Sequence, residues 1–156
     1  MPIDPDVAIG ADLGEQEFSW SASDVLLYHL GIGAGSRPGD QVDPVALRYT
    51  YDGPGLQVLP TFGVVAPTFH ATDPPPLDLP GCEIDLAQVV HGSQSIAVHG
   101  PLPTSGSAVV STRISEIWDK GKAAVIWQEG TARADDGREL WTTRSSIFVR
   151  GEGGWG

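Results

Sequence analysis

The chain has 156 residues, enough for one domain with its own core, and sets 9 Lys and Arg against 20 Asp and Glu for a net charge of −11. Such a surface repels polyanions, which excludes nucleic acid and anionic membrane as partners, although one or two local arginines could still hold a small anionic ligand. A single cysteine, Cys82, allows neither an intrachain disulfide nor a thiolate zinc cluster, and the acidic N-terminus and lack of a bilayer-length apolar run argue against export or membrane insertion, so a cytoplasmic location is expected.

In chain order, the first predicted element is a short helix in DVLLYHLG, residues 24–31. Ser21 or Ser23 caps it, Asp24 lies in its first turn and Gly31 stops it. Residues 36–44 are polar turn formers, after which VALRYTYD, residues 45–52, alternates in the manner of a half-buried strand. LQVLPTFGVVAPTFH, residues 56–70, is apolar, but Gly63 and Pro67 permit only a short or broken helix. ATDPPPLDLPG, residues 71–81, is a proline-rich surface loop, and EIDLAQVVHG, residues 83–92, adds a helical turn between an Asp85 cap and a Gly92 stop. A strand is expected to begin at Ser93.

The last third carries the strongest pattern. SAVVSTRISEIW, AAVIWQEGTARA and LWTTRSSIFVRG are three strand-like runs joined at Asp119–Lys122 and Asp135–Arg138, both glycine-containing hairpin turns, so they form an antiparallel meander. Short helical pieces followed by long strands read as an α+β fold whose sheet wraps the helical segment. Residues 1–150 make this domain, and residues 151–156, too rich in glycine for a strand, start a linker or tail.

The glycines of LLYHLGIGAGS, residues 26–36, invite comparison with a phosphate loop. A dinucleotide fingerprint places its glycines after a strand and before a helix, so that the phosphate meets free helical N–H groups; here they follow a helix and lack the G-x-G-x-x-G spacing. They read as a helix stop and a tight turn. His29, His70, His91 and His99 show no metal-ligand spacing, so no metal site is expected, although His91 stands apart beside Gly92 at a helix-to-strand junction. Ser105-Gly106-Ser107 lacks the context of a nucleophile elbow, so no acyl-enzyme chemistry is expected.

Five segments in order, DVLLYHLGIGAG, LRYTYDG, LQVLPTFGVV, VVHGSQSI and IWDKGKAAVIW, together resemble the N-terminal half of a MaoC-like, hydratase 2 type 2-enoyl-CoA hydratase. The last segment also resembles an actinobacterial branch that acts on steroid side-chain CoA thioesters. The resemblance implies a single hot-dog fold here, an antiparallel sheet curled around a helix, and two such units in tandem in the full enzyme. The implied reaction adds water to a trans-2-enoyl-CoA to give the (3R)-3-hydroxyacyl-CoA, with CoA as part of the substrate and no separate cofactor. The catalytic Asp and His then belong to a G-D-x-N-P-x-H loop of the C-terminal unit, while the N-terminal unit shapes the acyl pocket.

GDQVDPVA, residues 39–46, is similar to that loop, but one residue is inserted, Asp43 replaces the Asn and Ala46 replaces the His. Without the imidazole it cannot serve as an acid–base pair and reads as a proline-containing turn. No residue of this chain is therefore assigned a catalytic role, and the resemblance places Gly31–Gly33 where the catalytic copy would begin its loop. Matching positions put Leu59, Pro60, Thr61 and Phe62, with His91, Gly92, Ser93 and Gln94, beside the acyl group. The shortened helix leaves space along the sheet, expected to be lined by Phe62, Val64, Val65 and Phe69.

The implied partners are an acyl-CoA thioester and either a C-terminal catalytic hot-dog unit or a second copy, because open sheet edges need cover. Two other readings stay open on the residues alone. One is a complete single hot-dog thioesterase or dehydratase acting through groups such as His91 and Glu83. The other is a noncatalytic dimerising assembly module.

Overall fold

The computed structural model describes residues 3–73 and 78–156. It contains helices α1 (Pro5–Ala8), α2 (Ala22–Gly31), α3 (Pro44–Thr50) and α4 (Phe62–Val65), with 3₁₀ turns at Ala66–Thr68 and Leu86–Gln88. Its strands are β1 (Asp12–Trp20), β2 (Val89–Val98), β3 (Gly106–Asp119), β4 (Ala123–Ala134) and β5 (Glu139–Arg150). They form one antiparallel sheet in the order β1-β3-β4-β5-β2. The sheet curls around the short helices in the expected α+β hot-dog arrangement. Its β3–β4–β5 meander turns at Gly121 and Gly137, whose φ of +76° and +82° lies in the left-handed region that glycine occupies without strain.

Local chemistry explains where the helices begin. Ser21 Oγ accepts the Asp24 N–H at 3.3 Å while Asp24 Oδ2 accepts the Ser21 N–H at 2.8 Å, a reciprocal capping box that starts α2. VALRYTYD is helical rather than extended, which corrects the strand expected there. Asp43 Oδ1 accepts the Val45 N–H at 2.9 Å and Pro44 brings the backbone angle of a first helical position, so the cap outweighs the alternation. GDQVDPVA is accordingly the entry to α3 and not a plain turn.

Two further differences concern strands. Asp85 caps a helical turn as expected, but that turn ends at Gln88 and Gly92 lies inside β2, in a bulge between the pairs His91–Ile147 and Ser93–Ser146. A Cβ on Gly92 would stand 2.6 Å from Ser146 Oγ, so only glycine lets the bulged strand close on β5. DLGEQEFSW, to which no element was assigned, forms β1; its acidic residues and a bulge at Gly14 conceal the period of two. The run Pro74–Pro76 of the proline-rich loop lies outside the described residues.

The inner face of the sheet changes character along its strands. At one end Trp20, Ala108, Val110, Ala132 and Trp141 pack with Val25, Phe62 and Ala66 from the helical segments. At the other end Ile114, Ile117, Ala124, Ile126 and Val149 pack with Ile3, Ala8 and Leu79. Side chains two apart share a face, so the β4 positions between Ile126 and Ala132 that point the same way are Gln128 and Gly130. Gln128 stands opposite Ser145, and Ser145 opposite Gln94, giving a polar band between two apolar clusters.

Candidate functional site

The site begins with the brevity of α4. The Cβ that Gly63 lacks would stand 2.8 Å from Ile96 Cδ1 and 3.0 Å from the Trp141 ring, so glycine lets the helix backbone settle on the sheet. Pro67 then cannot donate a helical hydrogen bond, and regular helix ends at Val65 with a 3₁₀ turn after it. Beyond that point a cavity of about 1080 Å³ opens over the polar band. Its floor includes Val110 and Thr112 of β3, Gln128 of β4, Ser145 and Ile147 of β5, and His91 and Gln94 of β2. Its walls come from the start of β1, from Thr68 to Asp73, and from Asp78 to Pro80.

Charge is distributed unevenly around this cavity. Asp12, Glu15, Asp73 and Asp78 contribute carboxylates, while among the described residues no Lys or Arg lines it. A second depression, of about 380 Å³, contains Arg113 and Arg133, but both guanidinium groups are engaged, with Glu129 at 2.8 Å and Glu139 at 2.6 Å.

The residues expected beside the acyl group fall into two places. His91 and Gln94 line the cavity from either side of the bulge, Gly92 forms the bulge, and Ser93 turns away with its Oγ 2.9 Å from Ser146 Oγ. Leu59, Pro60, Thr61 and Phe62 lead into α4 away from the cavity lining. Phe62 is 1% exposed and packs with Tyr28 and Phe69 at centroid distances of 5.6 and 5.9 Å. The space left by the short helix is therefore not lined by Phe62, Val64, Val65 and Phe69: Phe62, Val65 and Phe69 pack into the core, and the space opens past Thr68.

The segment comparable to the catalytic loop holds no acid–base pair. Asp40 Oδ2 accepts the Arg37 N–H at 3.0 Å, Asp43 caps α3, and neither reaches the cavity lining. After α2 the chain makes a tight turn in which Gly33 and Gly35 take φ of +93° and +75°. His29, one turn earlier, is fully buried and satisfied at both ring nitrogens by Tyr49 and Leu59. Cys82 packs half-buried against the second apolar cluster, where burial pushes its thiol pKa up. Among the described residues no group of three or more His, Cys, Asp or Glu could hold a metal ion, and no helix is long and apolar enough to cross a membrane.

Gln128 and Ser145 were not singled out from the residues, although a signal existed. Once β4 is phased by Ala124, Ile126 and Ala132, Gln128 interrupts the inward face with an amide.

Residues 18–151 match the family model described as the MFE-2 hydratase 2 N-terminal domain. Over 156 residues, all of this chain and 53% of the relative, the sequence is 56% identical to enoyl-CoA hydratase ChsH3 of Mycobacterium tuberculosis. Over 154 residues, 96% of this chain and 48% of the relative, it is 34% identical to the peroxisomal enoyl-CoA hydratase 2 of Arabidopsis thaliana. The chain thus spans about half the length of these relatives. Its fold is similar to that of a MaoC-like dehydratase from Phytophthora capsici, with a TM-score of 0.76 at 23% identity, covering 96% of this chain and 50% of the other. The family match runs from within β1 to the end of β5, and with the similarity in fold it shows that the chain belongs to the hydratase 2 N-terminal domain family, a MaoC-like hot-dog domain.

Proposed function

We propose that this chain is the acyl-binding half of a (3R)-specific enoyl-CoA hydratase, the half that shapes the pocket while a second hot-dog unit supplies the acid and the base. In the reaction water adds across the double bond of a trans-2-enoyl-CoA, its hydroxyl to C3 and a proton to C2. The observation that carries this reading is the 56% identity along the whole chain to an enoyl-CoA hydratase, in a domain whose loop corresponding to G-D-x-N-P-x-H has no imidazole. A cavity of about 1080 Å³ lies at the upper end of what encloses a drug-sized ligand, which suits a bulky acyl group such as a steroid side-chain thioester.

The second unit adds at β2. That strand is an edge of the sheet, and seven of its ten residues are exposed, so its unpaired backbone groups offer a template for another strand. β1, at the other edge, is crossed by the 3₁₀ turn after α4, where Gln16 Nε2 donates to the Pro67 carbonyl at 2.7 Å. Residues 1–150 serve as the folded domain of a cytoplasmic enzyme, and residues 151–156 dock on it through Asp119 and Trp155 before the chain leads toward the second unit. A second copy takes the place of that unit where no catalytic half is present.

The test is hydration of a trans-2-enoyl-CoA followed by loss of the enoyl absorbance. The chain by itself is expected to be inactive, and the chain combined with its catalytic half to form the (3R) product. Turnover by the chain alone, or thiol release from an acyl-CoA that disappears on substitution of His91 or Glu83, would replace this reading with that of a complete hydratase or thioesterase.

A further inference from the structure

The polar band on the cavity floor poses a physical problem. Inward-facing positions of a curled sheet are apolar at both ends here, as burial requires, yet in the middle Thr112, Gln128, Ser145 and Gln94 direct amides and hydroxyls at the same space. Among the described residues the side chains of Thr112, Gln128 and Ser145 have no protein hydrogen-bond partner, and Gln94 reaches only the adjacent Ser95 carbonyl at 3.4 Å. A hydrocarbon group resting on this floor would strip water from these groups and return nothing. An occupant with its own oxygen would satisfy them.

The rim narrows the choice further. Among the described residues, Asp12, Glu15, Asp73 and Asp78 line the cavity and no Lys or Arg does. Carboxylates at such a mouth repel the diphosphate and the ribose phosphate of CoA, so the end of the substrate that enters here is the one remote from the thioester. The same repulsion disfavours an acyl group ending in a carboxylate. What remains is an uncharged, oxygen-bearing terminus.

We infer that this cavity selects acyl groups that carry a neutral hydroxyl or carbonyl oxygen far from the thioester, with Gln128 as the central specificity-determining residue between Ser145 and Gln94. An amide both donates and accepts, so Gln128 can meet either a carbonyl or a hydroxyl, and Ser145 can complete the pair from the neighbouring strand. This inference rests on the acyl-binding reading above and refines its substrate class.

The experiment compares two matched bulky enoyl-CoA thioesters, one with a remote ring hydroxyl and one without, on the chain combined with its catalytic half. The parent is expected to favour the hydroxylated substrate in kcat/KM, and Gln128→Leu to lower that preference, the ratio of the two kcat/KM values, about fivefold to tenfold. Ser145→Ala should move in the same direction by a smaller factor. A loss shared equally by both substrates, or no loss, overturns the inference.

A second measurement does not depend on turnover: calorimetric binding of the methyl ester of a hydroxylated polycyclic acid, and of its deoxy counterpart, to this chain alone. Tighter binding of the hydroxylated ester that Gln128→Leu abolishes upholds the inference even if no enoyl-CoA is hydrated, an outcome that would sink only the hydratase reading. Equal binding of both esters by the parent rejects the inference. An unchanged thermal midpoint in Gln128→Leu confirms that the comparison concerns folded protein.

Discussion

His29 holds Leu59 through a ring nitrogen: Nε2 accepts the Leu59 backbone N–H at 3.1 Å, while Nδ1–H donates to the Tyr49 carbonyl at 2.8 Å. Because Nε2 accepts, the proton must sit on Nδ1, so the two bonds define one neutral tautomer. A side chain of α2 thereby ties together the end of α3 and the segment that leads into α4. His29→Leu would fill a similar space but leave a buried N–H and a carbonyl unpaired, at roughly 1–3 kcal/mol each. Urea denaturation should show a loss of about 2–6 kcal/mol, and a change below about 0.5 kcal/mol would show that water replaces the ring without cost.

Gly63 and Ile96 are packed too closely to admit a methyl group, with 2.8 Å between the missing Cβ and Ile96 Cδ1. Gly63→Ala should cost about 1–3 kcal/mol through overpacking against Ile96 and the buried Trp141. Ile96→Val removes the offending methyl, so the double variant should be more stable than the sum of the single changes by about 0.5 kcal/mol or more. Strict additivity in a denaturation cycle would contradict this packing argument.

Asp119 acts as a clasp for the C-terminal residues. Its carboxylate accepts the N–H groups of Gly154, Gly156, Gly121 and Trp155, at distances from 2.6 to 3.0 Å, and Trp155 packs on the second apolar cluster. The bonds from Gly154, Gly156 and Gly121 lead in lowering its pKa from 3.8 to about 2. A lowered carboxylate pKa contributes stability above the unfolded value and loses it as pH falls through the folded one, so the clasp should hold at pH 5 and open between about pH 4 and pH 2. Amide exchange at residues 154–156 should accelerate in Asp119→Ala at neutral pH, and protection equal to the parent would show that Trp155 packing alone retains the tail.

Much of the fold was legible along the chain because its signals are local. Ser21 with Asp24, and the glycines of the two hairpin turns, act within a few residues of where they stand, and the β3–β4–β5 meander follows from them. The errors arose where two local signals competed or where a strand's partner lay far away. At Val45–Thr50 an alternating pattern hid a helix whose cap was in view at Asp43. β1 depends on pairing with β3, almost a hundred residues later, and has no period of its own to display.

The residues by themselves determined the chemical class of this protein: an acidic chain resembling a hydratase half, whose loop segment carries Asp43 and Ala46 in place of the catalytic pattern. They could not determine which side chains meet across the sheet. That depends on strand phase, and a single bulge at Gly92 resets the phase of β2, so that His91 and Gln94 face the cavity while Ser93 binds Ser146 outside it. Only the tertiary structure brought Gln94, Ser145 and Gln128, from three separate strands, into one row beneath a cavity, because pairing across strands is a long-range contact that no short stretch of chain encodes.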